Sequence, residues 1–308
     1  MKQVAVTGSV AFDTIMVFQG HFGEHILPDK THLINVSFLV DRLEKRRGGT
    51  AANIAYTMAL HGEHPLLCAA VGSDFGDYDS ALRDAGVDTE AALRCNDIPT
   101  ASAFITTDLD DNQITAFYPG AMARGGDVDL RVHADVVDTV VVAPDAPDGM
   151  ALHIAQAREM GARLVFVPAQ QIPSLPEATL RAGLESAWMV VGNDYELELI
   201  RSRTGMSAED LRRRGALVAV TRGDEGSELH APDGVVRIPV APAAAVLDPT
   251  GAGDAYVGGL LVGLRRGLPL EEAGRVAALS ATYVVEQQGT QSHRFDAESF
   301  AERYRTAF

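Results

Sequence analysis

Cysteine and lysine are both scarce in this chain of 308 residues, and each scarcity closes off a class of protein. The two cysteines, Cys68 and Cys95, can form neither a multi-disulfide framework nor a complete cysteine zinc site, so both read as packing residues suited to a reducing compartment. The three lysines, Lys2, Lys30 and Lys45, include none in a Gly-Lys-Ser or Gly-Lys-Thr setting, which argues against a P-loop nucleotide site. Basic residues number 26 against 42 acidic ones. The formal charge of −16 opposes the counterion release on which nucleic-acid binding depends. No apolar run approaches the roughly 20 residues needed to cross a bilayer, and the start of the chain has neither an apolar signal core nor a small-residue cleavage site. The expectation is a soluble cytoplasmic protein with no nucleic-acid or membrane partner.

What is present is an alternation. Residues 4–8, 139–143, 164–167, 188–191 and 217–221 are short apolar runs rich in valine, and segments of helical period at 53–61, 149–160, 178–186 and 195–204 fall between them. Continuous apolar strands separated by helices predict an α/β fold with a mainly parallel central sheet covered on its faces. Two regions break the pattern. Residues 101–107 and 113–118 flank a turn at 108–112 and read as a hairpin; with part of residues 14–43 they are expected to form a small separate sheet, a lid built from segments near 14–45 and 98–122. A second hairpin is expected at 226–239, and long helices at 252–266 and 270–286. One catalytic domain spanning residues 1–308 is the simplest organisation.

The chemistry concentrates in Asp248-Pro249-Thr250-Gly251-Ala252-Gly253-Asp254, a small-residue turn that runs into an apolar helix. Without bulky side chains, the amides of Gly251, Ala252 and Gly253 can face an anion, reinforced by the positive end of the helix dipole. Asp254, in the first helical turn, would take the proton of an attacking hydroxyl if a phosphoryl group sits there, whereas the alternative is that it only complements the helix dipole while the glycines allow close packing. Far upstream, Gly48-Gly49-Thr50-Ala51-Ala52-Asn53 opens another helix and Asp13 follows the first strand. In an open α/β sheet, ligands bind beyond the carboxyl ends of the strands, so Asp13 and Asn53 can converge on a polyhydroxylated substrate.

These two glycine-rich segments, in this order and at this separation, resemble those of the ribokinase, or PfkB, family of carbohydrate and nucleoside kinases, and the resemblance covers nearly the whole chain. It implies a ribokinase-like three-layer sandwich with a β-sheet lid, ATP and Mg2+ as cofactors, Asp254 as catalytic base, Gly251 to Gly253 as anion hole, and Asp13, Gly49 and Asn53 as substrate contacts. It assigns Asn193 and Glu196 of Asn193-Asp194-Tyr195-Glu196 to the water shell of the magnesium; the same two residues also fit a helix capping box. Thr221, Gly223 and Gly226 resemble the family's nucleotide-binding turn, with Arg222 as an added cation, while a simple tight turn with a solvated arginine is the alternative. Asp248 and the turn at 289–292 are the groups that would hold K+.

Segments 25–30, 35–41 and 115–122 are most similar to the adenosine kinase branch, which implies a purine nucleoside phosphorylated at its 5′-hydroxyl. Phe38, Phe117, Tyr118 and Met122 could wall its base and Gln113 could read a base edge, although alternating aromatics also make a small sheet's own core. One departure stands out: Val167-Pro168-Ala169-Gln170-Gln171 lacks the acidic and small hydroxyl residues that such relatives often place before the glutamines. Asp13 suits a free sugar as well as a ribose, so a ribose- or fructose-type sugar kinase is the alternative. A Rossmann dehydrogenase is disfavoured because Gly8-Ser9-Val10-Ala11-Phe12 lacks the required glycines. A catalytically inactive nucleoside sensor would be expected to have lost the acid at 254, which is present. The edges of a lid sheet are a surface a second subunit could cover, and monomer and homodimer both stay open.

Overall fold

The computed structural model describes residues 2–25, 36–110 and 112–308; residues 26–35, which carry part of the resemblance at 25–30 and 35–41 and part of the expected lid, lie outside them, as do Met1 and position 111. The strands are β1 (Gln3–Thr7), β2 (Ala11–Phe18), β3 (Val40–Gly48), β4 (Leu66–Cys68), β5 (Ala70–Gly72), β6 (Leu93–Cys95), β7 (Ala101–Thr107), β8 (Gln113–Tyr118), β9 (Val137–Val142), β10 (Arg163–Phe166), β11 (Ala187–Asn193), β12 (Leu217–Thr221), β13 (Ser227–Ala231) and β14 (Gly234–Ile238). The helices are α1 (Phe22–His25), α2 (Thr50–Leu60), α3 (Gly76–Ala85), α4 (Pro147–Glu159), α5 (Glu177–Ser186), α6 (Asp194–Thr204), α7 (Ala208–Arg213), α8 (Ala252–Arg265), α9 (Leu270–Val285) and α10 (Ala297–Ala307). Among the described residues no helix is long and apolar enough to cross a membrane.

Eight strands form one sheet in the order β14-β13-β12-β11-β10-β9-β1-β4. The run from β12 to β4 is parallel, and the β13–β14 hairpin adds two antiparallel strands at one edge. Parallel strands joined by crossover helices are covered on both faces, which is why residues 140–142 of β9, 164–166 of β10 and 217–220 of β12 are unbroken apolar runs. One face packs on α2, α3, α8 and α9, and the other on α4 to α7, giving three layers. Small residues set the spacing of the first layer. A Cβ at Gly258 of α8 would stand 3.0 Å from the Ile54 carbonyl oxygen of α2, and one at Gly263 only 2.7 Å from the Ala273 Cα of α9. The close approach of α8 to α2 brings Asn53 and Asp254 within reach of each other.

The remaining strands make a four-stranded sheet in the order β3-β2-β7-β8, with β2 parallel to β7 and the other pairs antiparallel, and a two-stranded sheet of β5 and β6. The expected hairpin is β7–β8. Its outer strand β8 is exposed along its whole length. Phe18, Phe22, His25 and Phe38 pack together at one end of this sheet, their ring centroids 4.9 to 5.9 Å apart. Phe38 therefore belongs to the small sheet's own core and not to a substrate wall.

Candidate active site

The carboxyl ends of five parallel strands open on one cavity of about 650 Å³, to which Ser9, Pro144, Val167, Asn193 and Thr221 each contribute from just beyond or at the end of β1, β9, β10, β11 and β12. Its size falls in the range of small-molecule sites. The small sheet supplies one wall through Ala11, Asp13 and Phe117, continued by Met122 in the following turn, while Gly49 with Thr50 and Asn53 of α2, and Gly251 with Gly253 and Asp254 of α8, close the opposite side.

Both glycine-rich turns are required by their geometry. Gly49 has φ 95°, and a Cβ there would lie 2.6 to 2.7 Å from the backbone of Ser9, Val10 and Ala11. Only glycine lets the α2 N-terminus sit against this loop, where the Ala51 N–H donates to the Ser9 carbonyl at 3.1 Å. Gly251 takes φ 83° as the residue before α8. The first-turn amides of α8 have no acceptor within the helix, and Gly253 and Asp254 of this turn line the cavity, where such donors can meet an anion. Ala252 departs from expectation: its N–H is engaged by the Pro249 carbonyl at 3.2 Å, and it does not line the cavity.

Asp254 Oδ2 accepts a hydrogen bond from Asn53 Nδ2 at 2.8 Å. Asn53 Oδ1 in turn accepts from the Thr290 hydroxyl and from Gln291 Nε2, at 2.8 and 2.9 Å. Burial pushes the Asp254 carboxyl up to about 7, the Asn53 amide opposes this, and the Glu196 charge across the cavity adds to it. Burial also raises Asp13 above the ordinary carboxylate range; Arg46 opposes the rise and Asp248 adds to it.

Asn193 and Glu196 line the cavity and form the capping box of α6: Asn193 Oδ1 accepts from the Glu196 N–H at 2.7 Å and Glu196 Oε2 from the Asn193 N–H at 2.9 Å. Burial raises the Glu196 carboxyl. Two carboxylates raised by burial, Glu196 and Asp254, thus face one space, where the Glu196 charge disfavours ionisation of Asp254, an imbalance that a hard divalent cation with its water shell would relieve. The residues present fit magnesium. Potassium fits less well. Asp248 does meet the 289–292 turn, its Oδ2 accepting from the Gly289 N–H at 3.0 Å, but Arg46 stands 3.7 Å away as the positive partner. Burial opposes ionisation of Asp248, yet hydrogen bonds from Thr250 and Gly289, with Arg46, hold its carboxyl below the usual range. This carboxylate is already balanced, and no step is assigned to K+.

Other expected contacts fall elsewhere. Gln113 begins β8 and pairs with Thr107 at the outer end of the hairpin, four residues from Phe117, about 13 Å along an extended strand. It does not reach the cavity, because only the inner end of β8 does. Tyr118 is exposed and outside it as well. Thr221 lines the cavity, but Gly223 and Gly226 do not; Gly226, at φ 89°, is packed against the Ile238 carbonyl and serves the β13–β14 hairpin. Arg222 is paired with Glu228 at 3.3 Å. Conversely, Gln170 and Gln171, in the segment that departs from the family pattern, do line the cavity. They follow Ala169, the described non-glycine residue with positive φ (40°), a strained backbone of the kind found at ligand sites.

The sequence profile described as pfkB family carbohydrate kinase matches residues 1–296. The chain belongs to this family. A nucleoside kinase of Methanothermobacter thermautotrophicus is 32% identical over 309 residues, 98% of this chain and 96% of that protein. The Burkholderia thailandensis nucleoside kinase in complex with inosine superimposes with a TM-score of 0.89 at 37% identity, covering 99% of this chain and 98% of the other. The same enzyme with ADP-inosine gives 0.86 at 38% identity, covering 99% and 96%. The three-layer architecture is the ribokinase-like fold, shared at a TM-score of 0.83 with a ribokinase of Thermotoga maritima at 21% identity.

Proposed function

We propose that this PfkB-family chain transfers the γ-phosphoryl group of ATP to the 5′-hydroxyl of a purine nucleoside. The observation that carries this reading is the meeting of Asp13, Asp254 and the Gly251 turn on one cavity, although the two acids come from opposite ends of the chain. Asp13 has the two oxygens needed to hold a ribose diol, and Phe117 and Met122 offer an apolar wall for a base. Asp254 receives the 5′-hydroxyl proton as that oxygen bonds to the γ-phosphorus, the bond to the β-phosphate oxygen breaks, and ADP leaves. The free amides of the Gly251 turn face the charge that develops on the transferring group. Magnesium, through waters ordered by Glu196 and Asn193, would neutralise charge on the phosphates. The small sheet acts as a lid over the nucleoside within one catalytic domain, its outer part excluding water once substrate is held. The inosine and ADP-inosine complexes of the Burkholderia thailandensis enzyme support a nucleoside over a free sugar.

The test is an ATP-consumption screen with magnesium over inosine, adenosine, guanosine, cytidine, ribose and fructose, run beside Asp254→Asn. Purine nucleosides should be preferred, and the variant should lose about 100- to 10,000-fold in turnover, the usual contribution of a general base. A strong preference for fructose or ribose, or near-normal turnover of the variant, would overturn the reading.

A further inference from the structure

The hydrogen bonds behind Asp254 form a chain whose direction is fixed at its far end. Tyr78, fully buried on α3, donates its hydroxyl proton to the Gly48 carbonyl at 2.8 Å. A backbone carbonyl can only accept, so the phenol oxygen is left as an acceptor toward Gln291. Gln291 Nε2 has two protons and two acceptors, the Tyr78 oxygen and Asn53 Oδ1. The Thr290 hydroxyl also reaches Asn53 Oδ1, sharing its one proton with the Arg47 carbonyl 3.0 Å away. Asn53 Oδ1 is thereby turned toward Gln291 and its Nδ2 toward Asp254. The opposite rotation of the amide would set donor against donor at Gln291 and oxygen against carboxylate at Asp254, two repulsive contacts in a buried place.

We propose that Tyr78 and Gln291 are positioning residues, which carry the direction set by the Gly48 carbonyl to the Asn53 amide and so keep Asp254 oriented as a proton acceptor. This rests on the phosphoryl-transfer reading above. Neither side chain lines the large cavity, and both are buried. One Asp254 oxygen is held by Asn53, which leaves the other free for the incoming hydroxyl. If the amide is released, the carboxylate loses a donor that favours its ionised form, and it works as a base only at higher pH. The charges that face this network are Glu196 from α6, Asp13 from β2 and Arg47 from β3, with Arg46 and Asp248 acting on Asp13. All of these remain in the variants below, so a changed pH profile reports on the hydrogen bonds.

Tyr78→Phe and Gln291→Met, each in the full chain, would be compared with wild type for kcat and nucleoside KM between about pH 5.5 and 9. The expected result is a loss in kcat of about 10- to 100-fold near neutrality, the worth of one hydrogen bond to a charged group, with KM within about threefold. The acid limb should move upward, so the deficit narrows as pH rises. A rise in KM with kcat unchanged, or a kcat deficit equal at every pH, overturns the proposal. Should the variants fail to fold, the wild-type Asn53 side-chain amide, followed in 15N spectra, must respond to the titration of Asp254; a flat signal also overturns it. Wild type inert toward every nucleoside would sink the phosphoryl-transfer reading itself, whereas active wild type with unaltered variants sinks only this inference.

Discussion

Gly251 and Thr290 are packed so closely that a Cβ added to the glycine would lie 2.9 Å from the Thr290 Cβ. The backbone leaves no way around this contact, because φ at Gly251 is 83°. Gly251→Ala therefore combines a left-handed alanine, costing about 1–2 kcal/mol, with displacement of a threonine that also touches Asn53. We expect lower thermal stability and a turnover reduced about 10- to 100-fold, as when a transition-state donor is misplaced. Gly253→Ala is the contrasting case. Its Cβ meets open space inside the first turn of α8, and alanine in a helix gains about 0.5–1 kcal/mol over glycine. Chemical denaturation of the two variants should shift in opposite directions; equal shifts would refute the packing argument.

The parts of this fold that were legible in the sequence are those where one local pattern has one physical meaning. The valine runs of β9, β10 and β12, set between segments of helical period, read as buried parallel strands, and the small-residue Gly251 turn before an apolar run reads as a tight helix start. β4 is three residues long and α3 buries only Tyr78 and Leu82, so neither carries enough apolar period to be seen. The network behind Asp254 is illegible for another reason. Gln291 acts on partners 238 and 213 positions away, and nothing in the loop around it distinguishes its amide from a solvated one. Gln113 failed through geometry: the pattern gave the hairpin, but not which end of the strand meets the cavity. Gln170 and Gln171 line the cavity although the acidic and hydroxyl groups expected before them are missing, and the positive φ of Ala169 that precedes them leaves no mark in the sequence.

Asp145, just beyond β9, is 1% exposed, and its Oδ2 meets no donor among the described residues. Burial pushes its carboxyl up to about 7, opposed by the Ala146 N–H and assisted by the Asp148 charge. The folded state therefore holds a proton that the unfolded chain releases near pH 4, and folding stability falls as pH rises from about 4 to 7. Asp145→Asn removes this slope. At pH 8 the variant should be more stable by on the order of 1–3 kcal/mol, with the two proteins converging near pH 4. Parallel Tm curves across that range would show that the carboxyl is not desolvated as the structure has it.

Arg303 of α10 forms a fork-like pair with Glu286, Nη1 to Oε2 at 2.7 Å and Nη2 to Oε1 at 2.6 Å, while Nη2 also reaches the Pro242 carbonyl at 3.1 Å. Glu286 Oε1 accepts the Ala244 N–H at 2.6 Å, so the pair pins residues 242–244, the start of the segment that leads into the Gly251 turn. Hydrogen bonds from Arg303, outweighing burial, hold the Glu286 carboxyl below its usual range. A depressed carboxyl contributes stability above the unfolded value near 4.5 and loses it as pH falls, so this clamp weakens only in acid. Arg303→Ala should cost about 1–3 kcal/mol at neutral pH, because it leaves a part-buried carboxylate with two hydrogen bonds fewer, and the gap to wild type should close in acid. Loosening the approach to the anion-facing turn should raise KM for ATP about three- to tenfold while KM for the nucleoside stays put, a change of about 0.7–1.4 kcal/mol. Arg303→Lys keeps the charge without the two-pronged geometry and should recover only part of either effect. If both substrates' KM values move together, the clamp acts on the fold as a whole and not on the turn that follows it.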